Sequence, residues 1–310
     1  MRYDDSYDDA STLETDMITR RIWALSGNSQ KLDGGAMFGN APKAVWAGWM
    51  APDDRNRIEL ACRAMLIEEA EDGVVRRRIL LETGVGAFFP PKLRDRFGIV
   101  EANHVLLGEL AKLGLSDADI DVVVLSHLHF DHAGGLLTPY DPATAPALLF
   151  PNARFVVGAQ AWQRALSPHQ RDRASYIPEL QPLLEASGRL EVVTGDRSDT
   201  LGPDYPLHLS HGHTPGLMLV EVPSDDGAIV FAGDLIPGVP WVHLPITMGY
   251  DRFPELLIDE KSALLRDLVG RGGRLFFTHD PSIALARVTQ DDRGRFRAGE
   301  SWQLADALTV

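Results

Sequence analysis

The alternation of apolar and polar positions predicts strands and helices in turn along the chain. The first half contains two β-prone stretches, residues 58–67 and 74–81, joined by a hairpin-like turn over residues 68–73 that ends in Asp-Gly. Residues 103–113 carry apolar side chains at helical spacing, and residues 121–125 form a short apolar strand. Because strands and helices alternate, the pattern predicts an α/β fold in which helices cover the sheets.

The second half continues the same alternation. The apolar pattern predicts strands over residues 154–157, 190–193, 207–210, 217–222, 228–231 and 274–277. It predicts helices over residues 159–166, 176–186 and 254–269. Pro182 lies inside the second of these helices, where a proline removes a backbone hydrogen bond.

Composition narrows the classes of protein that this chain resembles. It has 310 residues with 45% hydrophobic and 24% charged side chains, which are ordinary values for a globular protein. Cys62 is the single cysteine, so the sequence excludes an intrachain disulfide and a cysteine-rich zinc site. A net charge of −14 disfavours binding to nucleic acid or to an anionic membrane surface.

The two ends of the chain differ in character. Residues 1–17 are acidic and poor in apolar side chains, which predicts a mobile arm, and residues 18–310 are predicted to form one domain. The start lacks the basic and apolar regions of a signal peptide, and no run of 18 apolar residues occurs. We therefore expect a cytoplasmic protein without a membrane span.

The densest chemical signal follows the strand at residues 122–125. The segment that comes next reads His127-Leu128-His129-Phe130-Asp131-His132, with three imidazoles and a carboxylate at the end of a buried strand. A loop that only faces solvent would not be expected to concentrate three imidazoles and a carboxylate in this way. The pattern indicates a metal site.

Further strands also end in residues able to bind a metal. Glu82, His213, Asp234 and His279 each follow an apolar strand. The main candidate donors are five imidazoles and two carboxylates: His127, His129, Asp131, His132, His213, Asp234 and His279. One divalent ion takes about four to six donors, so seven protein donors suit two ions bridged by a carboxylate and by water or hydroxide.

The order and spacing of these residues resemble the metallo-β-lactamase superfamily of hydrolases, over roughly residues 58–280. The resemblance implies a four-layer αβ/βα sandwich with two metal ions at one edge between the sheets. It assigns His127, His129 and His213 to the first ion. It assigns Asp131, His132 and His279 to the second ion, with Asp234 as the bridge.

The implied chemistry is hydrolysis by a bridging hydroxide on a dinuclear centre. Asp131 and Asp234 are the expected catalytic carboxylates, and Asp131 would also orient the nucleophile or move a proton. Imidazole-rich donor sets favour Zn²⁺, although Mn, Fe or Co ions accept similar donors.

Other residues are candidates for supporting roles. Glu82 stands where the family usually has an aspartate that supports a metal-binding histidine, and it is one methylene longer. His211 has the same alternatives as any histidine beside such a site, namely support of a ligand or contact with solvent. His104 is expected at the surface.

A substrate pocket is predicted from apolar and aromatic residues near the motifs, with ordinary packing as the alternative. Its candidate residues are Met37, Phe38, Phe88, Phe89, Trp241 and His243. The Gly-Gly-Ala-Met-Phe-Gly stretch at residues 34–39 resembles the amino-terminal loop of the lactonase and organophosphate-hydrolase branch of the superfamily.

Several activities fit these residues. The favoured activity is hydrolysis of a small lactone or ester. Pro237 occupies the position where acyl-homoserine lactonases commonly have a tyrosine, which argues for a broader specificity. The alternatives are a glyoxalase-II-like thioesterase, a phosphotriesterase and a non-hydrolytic metal-binding scaffold. Trp46, Trp49 and Trp241 suggest an exposed aromatic contact in a homodimer.

Overall fold

Two β-sheets stacked face to face organise the part of the chain that the computed structural model describes, residues 18–303 and 306–310. The predicted arm at residues 1–17 lies outside the described residues. The single domain over residues 18–310 stays a prediction. No helix in the described part is long and apolar enough to cross a membrane.

The strands are short and follow one another closely. In chain order they are β1 (Ile18–Leu25), β2 (Gln30–Asp33), β3 (Arg57–Leu60), β4 (Ala64–Glu71), β5 (Val74–Leu81), β6 (Val122–Leu125), β7 (Arg154–Gly158), β8 (Leu190–Val193), β9 (Leu207–Ser210), β10 (Leu217–Val222), β11 (Ile229–Phe231), β12 (Arg274–Phe276), β13 (Leu285–Gln290), β14 (Phe296–Trp302) and β15 (Leu308–Thr309). The helices are α1 (Gly34–Phe38), α2 (Lys43–Trp46), α3 (Pro91–Arg96), α4 (Val105–Lys112), α5 (Phe130–Ala133), α6 (Ala159–Leu166), α7 (Leu180–Ala186) and α8 (Pro254–Gly270).

The described strands pair into two large sheets and one small one. The first large sheet has seven strands in the order β15-β1-β4-β5-β6-β7-β8. The second has six strands in the order β14-β13-β12-β11-β10-β9, and β2 pairs with β3 apart from both. The last strand therefore lies beside the first, so the two ends of the described chain meet at one sheet edge.

Burial on both faces explains the unbroken apolar run of β6. Val122 and Val124 point into the core between the sheets, whereas Val123 and Leu125 point into an outer core under α4, α6 and α7. Leu257 and Leu265 of α8 pack in a third core on the far side of the second sheet. Helix, sheet, sheet and helix form four layers, which confirms the predicted αβ/βα sandwich.

The strand predicted over residues 58–67 is wrong as a single element. It is broken between β3 and β4 because the backbone turns to meet the chain after β12. The Ala61 and Arg63 amides donate to the carbonyls of His279 at 3.3 Å and Thr278 at 3.0 Å. The turn that follows β4 is shorter than predicted. Only Asp72 and Gly73 have positive φ, at 52° and 76°, as in a two-residue hairpin turn.

Two other expectations need correction. His104 is buried and caps α4, with Nε2 at 3.0 Å from the Gly135 carbonyl, so its predicted surface position is wrong. The helix predicted over residues 176–186 begins only at Leu180. Pro182 then falls in the first turn of α7, where a missing amide hydrogen costs no helical hydrogen bond.

Candidate metal centre

Parallel strand pairs bring the predicted donors to one edge of the sandwich. β5 pairs with β6 in parallel, and β11 pairs with β12 in parallel, so each pair ends at a common edge. The His127 to His132 segment follows β6, and Asp234 and His279 follow β11 and β12. His213 lies on the loop that joins β9 to β10.

The structure gathers the seven predicted ligands into two adjoining groups. Within each group the candidate donor atoms all lie within 4.8 Å of one another. The first group contains His127, His129, His213 and Asp234, and the second contains Asp131, His132 and His279. Their coordination of a metal stays a prediction, but their proximity is a property of the fold.

Asp234 lies between the two groups. Its Oδ2 is 3.1 Å from Nε2 of His213 and 4.0 Å from Nε2 of His127. Its Oδ1 is 3.3 Å from Nε2 of His132 and 3.1 Å from Nε2 of His279. Each carboxylate oxygen therefore faces a different group, which is the position required of a bridging ligand.

Neighbouring acceptors orient three of the histidines. Nδ1 of His132 lies 2.7 Å from Glu82 Oε2, and Nδ1 of His213 lies 2.9 Å from Asp251 Oδ1. Nδ1 of His279 lies 2.6 Å from the Ala61 carbonyl oxygen. A carbonyl or an ionised carboxylate only accepts, so we assign the ring hydrogen to Nδ1 in each case. Nε2 of each ring is then the nitrogen that would bind a metal, as in metal-binding histidines generally.

Glu82 supports two histidines at once. Besides its bond to His132, it accepts a hydrogen bond from the Ser126 hydroxyl, and Ser126 Oγ lies 2.9 Å from Nδ1 of His127. Glu82 has φ of 64°, a left-handed conformation that is unusual for a non-glycine residue. These buried bonds hold the strained backbone in place. Glu82 thus lies where the sequence predicted, despite its longer side chain.

Charges in the centre shift the pKa values of its members in different directions. Burial lowers the pKa values of His132 and His279, but neighbouring carboxylates outweigh it and raise both well above the usual range. Burial and neighbouring imidazoles hold the pKa values of His127 and His129 well below the usual range, which keeps these rings neutral. Burial raises the pKa of Asp234, but His132, His213 and His279 outweigh it and hold that pKa well below its ordinary value. Asp234 is therefore ionised at neutral pH.

The buried donors fit divalent cations. Nε2 of His127 and Oδ1 of Asp234 are buried without a hydrogen-bond partner among the described residues. Unpaired polar atoms of this kind are costly unless something satisfies them, and a cation between the lone pairs would do so. Imidazole nitrogen and carboxylate oxygen are the donors that Zn²⁺ and similar ions accept.

Sequence reasoning missed several supporting residues. Asp251 accepts hydrogen bonds from His213 and from the Met248 amide at 2.6 Å. Gln30 Nε2 donates to Asp131 Oδ2 at 2.9 Å. Asp251 follows His213 by 38 positions in a loop without periodicity, so no local signal singles it out.

Of the two alternatives for His211, the structure shows an ordinary histidine satisfied by a hydrogen bond from a loop amide. Its Nδ1 accepts the Gly216 amide at 3.1 Å, which fixes the shape of the loop that carries His213. Glu260 of α8 holds the same loop from the other side, because its carboxylate accepts the amides of His211 at 2.8 Å and Gly212 at 3.0 Å.

A cavity of about 220 Å³ opens over the donors. Met37 lines it, as predicted, together with Phe97 and Phe130. Phe88 and Phe89 instead line an adjoining cleft of about 390 Å³, which shares Phe97 with the main cavity.

Three further pocket predictions are corrected. Phe38 is fully buried in a stack, with ring centroids 5.6 Å from Trp46 and 4.6 Å from Trp241. Trp241 supports the cavity from behind by donating Nε1 to the Met37 carbonyl at 3.0 Å. His243 lines a separate cleft beside Trp49. Burial of Trp46 and Trp241 leaves only Trp49, which is 41% exposed, of the three aromatics suggested for a dimer contact.

The family model of the metallo-beta-lactamase superfamily matches residues 58–279, a span that includes every predicted ligand. This chain belongs to the metallo-beta-lactamase superfamily. The match confirms the resemblance drawn from the His127 to His132 motif. Membership, together with the histidine and aspartate cluster, implies a hydrolase that uses divalent metal ions.

Individual relatives of this superfamily member agree with that assignment. A probable metallo-hydrolase of Mycobacterium tuberculosis is 27% identical over 260 residues, which cover 76% of each chain. The crystal structure of a probable metal-dependent hydrolase from Staphylococcus aureus has a TM-score of 0.78 and 26% identity, over 91% of this chain and 98% of its own. AidC, a dizinc quorum-quenching lactonase, shares the fold with a TM-score of 0.67 and 21% identity, over 91% and 95%.

Proposed function

We propose that the protein hydrolyses a small lactone or ester at a dinuclear divalent metal centre, with Zn²⁺ as the expected ion. The observation that supports this most is the arrangement around Asp234, which presents one oxygen to each of two donor groups. Seven protein donors exceed what one ion needs. A single-ion site would leave several buried donors unsatisfied.

The proposed assignment follows the two groups. His127, His129 and His213 would hold one ion, Asp131, His132 and His279 the other, and Asp234 both. When bound, such ions lower the pKa of a shared water and polarise the substrate carbonyl oxygen.

The side chains that surround the ions have their own tasks in this proposal. Glu82, Asp251 and the Ala61 carbonyl keep three imidazoles in the tautomer that binds metal. Asp131 faces the cavity and is oriented by Gln30, so its carboxylate is placed to orient a water molecule or take up its proton. Apolar side chains of Met37 and Phe97 exclude water and contact an acyl group.

A lactone or ester is favoured over other substrates for two reasons. The cavity is small and largely apolar on the side of Met37, Phe97 and Phe130. AidC, which is a lactonase solved with the product of a hexanoyl homoserine lactone, has the same fold. Because Pro237 supplies no hydroxyl, we propose a broad lactone or aryl-ester hydrolase rather than one restricted to homoserine lactones.

Metal analysis combined with a substrate panel tests the proposal. The panel contains γ-lactones of varied acyl length, aryl acetates, S-lactoylglutathione and paraoxon. About two ions per chain and turnover of lactones or aryl esters are expected. Preferred turnover of the thioester or of paraoxon would replace the proposal with a thioesterase or a phosphotriesterase. Bound metal without any turnover would indicate a binding scaffold.

Substitutions test the roles of the two carboxylates. Asp131→Ala and Asp234→Ala should abolish hydrolysis while circular dichroism stays unchanged. Asp259→Ala, on the exposed side of α8, is the matched control and should retain full activity. Hydrolysis that survives Asp234→Ala would contradict a two-metal mechanism. The homodimer and the cytoplasmic location stay predictions. Measuring the oligomeric state in solution would test the homodimer.

A further inference from the structure

Two arginines line the cavity beside the proposed metal ligands. Arg171 and Arg252 lie on the wall that also contains Asp172 and Tyr250. Both guanidinium groups are held by backbone carbonyls. Arg171 Nη2 donates to the Gly249 carbonyl at 3.0 Å, and Arg252 Nε donates to the Tyr250 carbonyl at 2.9 Å. Neither arginine has a carboxylate within 4.0 Å among the described residues 18–303 and 306–310.

Arg252 has one hydrogen-bond donor left over. Its Nε and Nη2 both point to the Tyr250 carbonyl, while its Nη1 is buried without a partner among the described residues. A buried, unpaired donor on a cationic group costs more than a neutral one. Such a group at the wall of a cavity is therefore suited to an anionic ligand.

The nearby carboxylates do not pair with Arg252. Asp172 Oδ2 accepts two hydrogen bonds from Arg164, at 2.9 Å and 2.7 Å, and Asp172 Oδ1 has no hydrogen-bond partner among the described residues. Asp251 is shared between His213 and the Met248 amide. Burial lowers the pKa of Arg252, and the charges of Arg171 and Arg164 lower it further, against the opposing effect of these two aspartates. Two positive charges, those of Arg171 and Arg252, thus lie close together on this wall of the cavity.

Arg252 is fixed relative to the metal ligands. Its amide donates to the His213 carbonyl at 3.1 Å, and the next amide, of Phe253, donates to the Gly212 carbonyl at 2.8 Å. Its charge is close enough to His129 to help lower the pKa of that ring. A group bound to the Arg252 guanidinium would therefore sit at a defined place beside the proposed metal ligands.

We infer that Arg252, assisted by Arg171, binds a carboxylate on the substrate, so that the enzyme prefers lactones or esters that carry a negative charge. The inference rests on the proposed function, because it names a feature of the substrate of that same site. Arg252 lines the cavity and has no carboxylate partner among the described residues, and the guanidinium fork matches the two oxygens of a carboxylate.

A matched pair of esters tests the preference. Mono-4-nitrophenyl glutarate carries a carboxylate, and 4-nitrophenyl 5-methylhexanoate has an isopropyl group of the same shape in its place. We expect wild-type kcat/KM to be about tenfold or more higher for the glutarate. Added salt should raise KM for the glutarate alone. Equal kcat/KM values, or a preference for the neutral ester, would overturn the inference and leave the proposed hydrolysis standing.

Substitutions of the two arginines show which side chain causes the preference for the charged ester. Arg252→Gln should remove most of the preference and Arg171→Gln a smaller part, whereas Arg252→Lys should restore some of it because it keeps the charge. Arg173→Gln is the control, since Arg173 is exposed nearby and does not line the cavity. Thermal melts confirm that each variant is folded. An unchanged ratio of the two kcat/KM values in Arg252→Gln would refute the role of Arg252.

A binding measurement tests this inference independently of the proposed hydrolysis. If no ester in the panel is cleaved, the proposed function fails, and calorimetry with glutarate decides the inference on its own. Wild-type protein should bind glutarate about tenfold more tightly than Arg252→Gln does. It should not bind glutaramide, which lacks the charges. Equal glutarate affinity in wild type and Arg252→Gln would reject the carboxylate site.

Discussion

Removing the carboxylate of Asp251 should weaken metal binding although this residue is not a proposed ligand. Asp251 is buried and accepts hydrogen bonds from His213 Nδ1 at 2.9 Å and from the Met248 amide at 2.6 Å. In Asp251→Ala both donors lose their partner. Each unpaired buried donor costs about 1–3 kcal/mol, so the loss of two acceptor contacts should lower the free energy of unfolding by about 2–6 kcal/mol.

The same substitution frees the His213 ring to rotate and to change tautomer. Loss of such a supporting group typically lowers metal affinity by about 10- to 100-fold. Asp251→Asn should have a smaller effect, because its amide oxygen replaces one of the two acceptor contacts. Competition of the protein with a chromogenic chelator for Zn²⁺, well below the melting temperature, measures the affinity of the folded protein. Urea denaturation measures the stability.

Asp259→Ala is the control, because it removes an exposed carboxylate from α8. It should change neither the Zn²⁺ affinity nor the free energy of unfolding. If Asp251→Ala binds Zn²⁺ as tightly as wild type, the hydrogen bond to His213 does not orient a ligand, and the supporting role of Asp251 is refuted. A loss of stability alone, at full affinity, would restrict Asp251 to holding the Met248 loop.

Three other substitutions probe the support of the site and the fold. Glu82→Ala should lower Zn²⁺ affinity by about 10- to 100-fold, since it releases His132 and Ser126 together, and chelator competition would detect this. Phe38→Ala should lower the free energy of unfolding in urea by about 3–5 kcal/mol, because its buried ring stacks between two tryptophans, with metal content unchanged. Burial raises the pKa of Glu69, but Arg77, Tyr205 and Arg20 outweigh it and hold that pKa below its ordinary value of 4.5. The stability that Glu69 contributes is thus present above this value and lost as pH falls through the folded pKa, so melting curves of Glu69→Gln should depend less on acid than those of wild type.

The donors were predictable because each one follows a strand that its own sequence reveals. The apolar residues of β6 are buried on both faces, so an unbroken hydrophobic run leads directly into His127 and His132. The carboxylate of Asp234 and the imidazole of His279 follow β11 and β12 in the same way. Local hydrophobicity and donor chemistry coincide at these positions.

Other parts of the fold depend on contacts between distant residues. β15 pairs with β1, and all positions of β14 except Phe296 are exposed or half-buried, so no local apolar pattern predicted these two strands. The chain between β3 and β4 bends because Arg63 donates to the carbonyls of Phe277 and Asp280, each at 2.9 Å. These partners are more than 200 residues away, beyond the reach of periodicity.

Aromatic residues near the motifs illustrate a different limit. Met37 and Phe38 are adjacent in sequence, yet one lines the cavity and the other lies in a buried aromatic stack. A hydrophobic side chain has the same sequence signal in a pocket wall as in a core. Only the packing of Trp46 and Trp241 around Phe38 separates the two cases.

The segment from Met248 to Arg252 contains both a residue that supports a proposed metal ligand and the residue proposed to select the substrate. Asp251 accepts a hydrogen bond from His213, and the next residue, Arg252, lines the cavity. The loop just before this segment is fixed by the buried Lys261, whose Nζ donates to the carbonyls of residues 243, 244 and 246 at 3.3, 3.2 and 2.7 Å. Because adjacent residues on one rigid backbone serve both purposes, a change that moves this loop should alter metal affinity and substrate preference together. In the proposed function the histidine motif provides the hydrolytic chemistry, whereas this loop, which has no sequence motif, selects the substrate.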